Sequence, residues 1–267
     1  MGGTVAVGQP ARSAVDNIAV LAALGVLAYG ASMLTHELIG HGGVCAFAGG
    51  HTTRLSAWGE ACSIQPVGIE AAGPGVQFLG GMVAWGLLRL VPERFGTLRH
   101  LLWLTMVFDL LVASGYLVLS AITGFGDAAI VIAGLTPPLL WRVLLGMFGG
   151  GLYYGSMWLC AYELRRTAGS DIVRLKRLTV VPYIAAGMIA LAGGALNRTL
   201  PPAAGLELAA ASAFGGAFGL VRLPDLQQSL RRVTPGRTAL LPASVAWSIA
   251  GALSAMAFIL LLGRGIG

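Results

Sequence analysis

The chain has 267 residues, of which 56% are hydrophobic and only 10% charged, and its formal net charge is +6. Soluble domains carry about 25% charged residues, so this composition excludes a large soluble core and describes a multi-pass integral membrane protein. The basic residues stand at the ends of apolar segments rather than in one patch, so they read as topology signals and no nucleic-acid partner is expected.

Crossing the hydrocarbon core of a bilayer takes about 20 apolar residues. Segments meeting that length are 18–38, 67–90, 98–122, 139–164, 178–196, 203–221 and 240–262. The expected fold is therefore an all-α polytopic transmembrane bundle of about seven spans, one domain over 1–267. Its metal-site half is expected at about 14–138 and its helical scaffold half at about 139–267. Only Arg12 precedes the first apolar run and no small-residue cleavage site ends it, so that run is expected to be a retained helix. Between the third and fourth spans, residues 123–138 are apolar but too short to cross. Bounded by Gly-Phe-Gly and Pro-Pro, they are able to form a re-entrant segment. Lys and Arg fall thirteen on one side of this arrangement and four on the other, which places the N-terminus in the cytoplasm. The ends of spans one and three then share the opposite side.

Several smaller features follow the same order. Cys45 and Cys62 flank one loop and can join in a disulfide if it faces an oxidising compartment; free buried thiols are the alternative. Gly146, Gly150, Gly151 and Gly155, and Gly215 with Gly219, have the four-residue spacing that lets helices approach closely in lipid. Pro182 and Pro242 are expected near span starts, where a missing N–H is tolerated. Asp109, near mid-span, is expected to pair with Arg142 across helices, and His51 and His100 are expected in loops.

The chemistry concentrates at residues 35–43, Thr-His-Glu-Leu-Ile-Gly-His-Gly-Gly, which hold two of the four histidines beside a glutamate at the end of an apolar run. Ionisable groups there are costly and usually functional. In the zinc motif H-E-x-x-H the histidines lie four apart, about 40° around an α-helix, and both reach one ion. His36 and His41 are five apart, which in a regular α-helix separates them by roughly 140°. A π-bulge, or a helix that loosens at Gly40, would bring them back to one face. The competing readings are helix-end histidines satisfied by water, or a same-face pair of Glu37 and His41.

A catalytic zinc site usually takes three protein ligands, so a further acidic or histidine ligand is needed on the same side. Asp127, in Gly124-Phe125-Gly126-Asp127, is the candidate, against the reading of a simple turn carboxylate. Glu70, early in span two, can orient a histidine or face water at the rim.

Together, His36-Glu37-Leu38-Ile39-Gly40-His41 and the later Ala72-Gly73-Pro74-Gly75-Val76-Gln77 resemble the membrane-embedded metallopeptidases of the site-2 protease (M50) class. The resemblance covers roughly the first half of the chain. It implies Zn²⁺ held by His36, His41 and Asp127, with Glu37 as the catalytic base. Glu70, Gly73, Pro74 and Gln77 would then support the ligands or bind substrate. The implied activity is hydrolysis of a peptide bond in or near the membrane helix of a transmembrane protein or peptide, with the lipid bilayer as surroundings. The alternative is a non-peptidase membrane protein of the same scaffold. It would be a metal-holding assembly subunit with other membrane subunits as partners, or an ion or small-molecule conduit using Glu70, Asp109 and Arg142. Four histidines are too few for the di-iron site of a desaturase-like oxygenase.

Overall fold

The computed structural model describes residues 15–66, 68–230, 234 and 240–267. Arg12, Arg231, Arg232 and Arg237, which enter the charge count, and Val67, the expected start of the second span, lie outside these residues. Among the described residues, seven helices are long and apolar enough to cross a membrane: α1 (Ile18–Phe47), α2 (Ile69–Leu90), α3 (Gly96–Thr123), α5 (Pro138–Ala168), α6 (Ile172–Ala195), α7 (Pro202–Ser229) and α8 (Val245–Gly263). A short α4 (Asp127–Ile132) stands between α3 and α5. Among the described residues, the molecule is an all-α polytopic bundle apart from a small hairpin. Strands β1 (Thr52–Ser56) and β2 (Gly59–Cys62), which the sequence did not announce, form an antiparallel hairpin between α1 and α2.

Helices α1 and α3 form the centre of the bundle. Val20, Leu21, Leu24 and Tyr29 from α1 pack with Trp103, Leu104, Phe108 and Leu111 from α3, all fully buried or nearly so. Tyr29 meets Phe108 edge-on at 5.7 Å between ring centroids. Packing of this kind, rather than water exclusion, holds helices together in lipid, so side-chain fit and small residues at crossings decide the arrangement. Gly25 is one such crossing: a Cβ there would come within 2.5 Å of the Pro182 backbone. Pro182 is accordingly not at a span start, because α6 begins at Ile172 and carries this proline well inside.

Other expectations are corrected by the same packing. Gly150, Gly151 and Gly155 on α5 face open space, whereas Gly149 lies against Leu117 and Val118 of α3. Arg142 does not pair with Asp109. It donates to the Ala121 carbonyl at 2.8 Å and to the Ile122 carbonyl, satisfying the end of α3. His100 is not in a loop but within α3, buried and stacked on Trp103. Cys45 and Cys62 form a disulfide, with Cα atoms 5.8 Å apart, that ties the end of α1 to the end of β2.

Three local features bring the polar ends together. The α1 helix opens into π-helical turns over Thr35–Gly42 before closing again at Gly43–Phe47. The α3 helix stops at Gly124, whose φ of +71° is the left-handed conformation favoured by a glycine after a helix. Gly126 follows with φ +92°, turning the chain so that Asp127 opens α4 on the same side as the end of α1. The expected re-entrant stretch is therefore a turn, α4 and a loop that leads back into α5.

Candidate metal centre

The spacing problem in α1 is resolved by its π-turns. A π-helix bonds residue i to i+5, so residues five apart lie over one another. His36 and His41 consequently share a face, their ring centroids 5.0 Å apart. Thr35 donates its hydroxyl back to the Ala31 carbonyl at 2.9 Å as the wider turns begin. Gly40 allows the adjoining helix to approach, because a Cβ there would lie 2.7 Å from the Gly73 Cα.

Each ring is fixed through the nitrogen that faces away from its partner. His36 Nδ1 is 3.0 Å from Gln77 Oε1, and His41 Nδ1 is 2.8 Å from the Ile69 carbonyl. Both partners are oxygen acceptors, so each Nδ1 carries a proton, and in the neutral ring the lone pair is on Nε2. Gln77 is itself oriented, donating its amide Nε2 to Ser32 Oγ at 2.9 Å. Both Nε2 atoms stand 3.2 Å from one oxygen of Asp127, Oδ2. Among the described residues, His36, His41 and Asp127 form a group whose ligand atoms all lie within 4.8 Å of one another.

This donor set fits a cation. Two imidazole lone pairs aimed at one carboxylate oxygen repel unless positive charge stands among them, and two nitrogens with one oxygen suit Zn²⁺ or a related divalent ion. Gly73 supplies the cradle: a Cβ at this position would collide with His41 Nε2 and come within 2.7 Å of His36 Nε2.

Glu37 is buried next to the ligands, and its Oε2 has no partner. It lines a cavity of about 790 Å³ with His36, His41, Asp127 and Tyr116. That cavity runs from the hairpin, where Arg54 and Trp58 line it, to apolar residues of α3 and α7 such as Val112 and Leu208. Glu70 also lines it, yet the orienting bond to His41 comes from the Ile69 carbonyl and not from Glu70. Pro74 faces the other way, into an apolar groove of about 350 Å³ among α2, α3, α4 and α5.

Tyr116 is a site residue that sequence reasoning missed. Its hydroxyl oxygen accepts the Asp127 N–H at 3.1 Å, and its ring stands edge-on to His36 with centroids 5.7 Å apart. A Cβ on Gly126 would run into this hydroxyl, so the glycine is needed for Asp127 to sit there. No spacing signal marks a tyrosine on a different helix turn as the seat of a later aspartate. No protein-family model, curated protein or solved structure matches this chain.

Proposed function

We propose that the chain is an intramembrane metallopeptidase. The observation that carries this reading is the convergence of His36 Nε2, His41 Nε2 and Asp127 Oδ2 beside a buried glutamate with an unpartnered oxygen, at the edge of a large cavity. His36, His41 and Asp127 would hold the ion. Zinc bound there would act as a Lewis acid toward a water molecule and a peptide carbonyl. The residues of the chain do the rest. Gln77 and Ile69 keep the two Nε2 atoms deprotonated and aimed. Glu37 takes a proton from the attacking water and returns it to the leaving nitrogen as the peptide C–N bond breaks. The mixed walls of the cavity suit a membrane peptide that is locally unwound, with polar backbone toward the ligands and side chains toward the apolar end.

The resemblance of residues 36–41 and 72–77 to site-2 proteases supports the same reading. The alternative of Glu37 and His41 as joint ligands rested on α-helical spacing, and the π-turns replace that spacing. The charge asymmetry and the Cys45–Cys62 disulfide together favour an opening on the oxidising, non-cytoplasmic side.

The test is Glu37→Gln in the purified protein, assayed with a transmembrane reporter peptide in lipid vesicles. Zinc binding is expected to persist, while cleavage falls by about 10²–10⁴-fold. Wild-type turnover in this variant, or an absence of zinc-dependent cleavage in the wild type, refutes the reading.

A further inference from the structure

The cavity continues past the ligands into the bundle, and its far wall breaks the helical pattern. In α7, π-turns over Ala211–Gly215 run into a short 3₁₀ stretch at Gly216–Phe218. Irregular turns inside a membrane helix are tolerated where protein buries them or where they line a cavity, and they are frequent at functional sites. Two backbone groups of this region are met by tyrosines that do not line the cavity: Tyr183 of α6 donates to the Phe214 carbonyl at 2.9 Å, and the Gly219 N–H donates to the Tyr153 hydroxyl of α5 at 2.7 Å. The face of α7 that carries Leu208, Ala211, Ser212 and Gly215, at intervals of three and four residues, lines the cavity instead.

This end of the cavity lies about one helical turn inward from the reacting groups. Met33 is four residues before Glu37 on α1, Val112 is four before Tyr116 on α3, and both line it. At 1.5 Å per residue that depth is about 6 Å, a reach that a leucine or phenylalanine side chain fills and alanine does not. The floor is closed where α3 and α7 nearly touch: a Cβ on Gly216 would lie 3.3 Å from the Val112 Cα, and one on Gly115 would lie 3.2 Å from the Gly216 Cα. The hydroxyl at this level is already committed, since Ser212 Oγ is 3.1 Å from the Tyr29 hydroxyl and 3.7 Å from Met33 Sδ. Gly215 is different from its neighbours. A Cβ there would meet only the Ala210 carbonyl of its own helix, at 4.0 Å, and its φ of −69° is one that any residue adopts. Neither packing nor backbone conformation requires this glycine, and what it preserves is room in the cavity.

We infer that the apolar end of the cavity is a subsite for a large aliphatic or aromatic side chain adjacent to the scissile bond, and that Gly215 is the residue that admits it. The inference rests on the peptidase reading. It narrows the substrate class to membrane segments with a bulky apolar residue at the cleavage point. Such a side chain arrives from lipid rather than from water, so the preference comes from packing. Discrimination by apolar pockets spans about 10–200-fold, and the lower end, about tenfold between leucine and alanine, is the expectation here.

The experiment uses the intact, zinc-loaded protein in lipid vesicles with a set of transmembrane reporter peptides. These are identical except at the two positions flanking the cleaved bond, which carry Ala, Leu or Phe, and mass spectrometry locates each cut. At one of the two positions the wild type is expected to prefer Leu and Phe over Ala by about tenfold in kcat/KM. Gly215→Leu fills the subsite and should invert that order. Gly215→Ala should penalise Phe more than Leu, a dependence on size that a general loss of folding does not produce. If Gly215→Leu does not fold, Ala211→Leu fills the same space from the adjoining turn and should also invert the order. A wild type indifferent to side-chain size at both positions overturns the subsite. So does a folded Gly215→Leu protein that keeps the wild-type preference or slows every reporter alike. A wild type that cuts no reporter in the presence of zinc overturns the peptidase reading itself, and the subsite falls with it.

Discussion

Replacing Gly73 with alanine tests the metal centre at the point where geometry is most restrictive. The added methyl carbon would stand 2.7 Å from His36 Nε2 and closer still to His41 Nε2, well inside the separation that carbon and nitrogen tolerate. The backbone behind it cannot retreat, because Gly40 of α1 already packs against the Gly73 Cα. The rings must therefore swing away, and the bonds they sacrifice are those from Nδ1 to Gln77 at 3.0 Å and to Ile69 at 2.8 Å. Each such outer bond is worth about 10–100-fold in metal affinity, so losing both predicts a fall of roughly 10²–10⁴-fold. On the scale of 1.4 kcal/mol per factor of ten, that is about 3–6 kcal/mol. The control is two residues away: a Cβ on Gly75 meets nothing within 4 Å. Gly75→Ala should keep full affinity and gain about 0.5–1 kcal/mol of stability from helix propensity. Zinc affinity by chelator competition, with helicity checked by circular dichroism, separates the two variants. A folded Gly73→Ala protein that binds zinc as tightly as Gly75→Ala would refute the placement of the ion between the two rings.

Three further outcomes follow from other parts of the fold. The Cys45–Cys62 bridge closes a 17-residue separation, so replacing both cysteines with serine should cost about 3 kcal/mol in thermal unfolding, and a reducing agent should have no further effect on that variant. Burial would raise the Asp16 carboxyl, but its hydrogen bonds from Arg174 and Leu241 N–H prevail and hold it below its ordinary 3.8. A group with a depressed folded value stabilises above its unfolded value and loses that contribution as pH falls toward the folded one. Wild-type stability should therefore decline as acid takes the pH below about 4, and Asp16→Asn should be less stable at neutral pH and flatter over that range. Tyr116→Phe leaves the Asp127 N–H without its acceptor, at a cost of about 1–3 kcal/mol in stability, and should weaken zinc binding as Asp127 loosens; unchanged stability and binding would contradict the seating role.

What the sequence made legible was whatever depends on composition and on spacing along one helix. Seven apolar runs became seven helices, because length and hydrophobicity are what a bilayer selects. The five-residue gap between His36 and His41 demanded a wider turn, and the chain provides one over Thr35–Gly42. Asp127 could be nominated because two glycines precede it and the charge count put it at the same end of the bundle as His36. Contacts between helices were less accessible. Nothing in the spacing of Gly146, Gly150, Gly151 and Gly155 distinguishes an open face from a packed one: Gly146 packs on Ala121 as expected, as does the unnamed Gly149 on Leu117, while the other three face open space. The supposed partner of Asp109 was chosen by charge alone, whereas Arg142 satisfies the end of α3 locally.

The same distinction explains why the outer partners of the candidate ligands were the least visible. Ligands must be His, Asp, Glu or Cys, so residue type alone narrows the search. The groups that orient them need only offer an oxygen at the proper distance, and a backbone carbonyl such as that of Ile69 has no residue signature. Glu70 looked like the better acceptor for His41 because it carries charge. The carbonyl one residue earlier is closer to the ring, and it costs no additional buried charge in the bilayer. It follows that replacing Ile69 should leave the His41 bond intact so long as the backbone holds its place, whereas a methyl at Gly73, which touches no polar outer partner, should disturb both rings at once. The chemistry of this centre is thus written in its side chains, and its geometry in the glycines and carbonyls of the helix opposite.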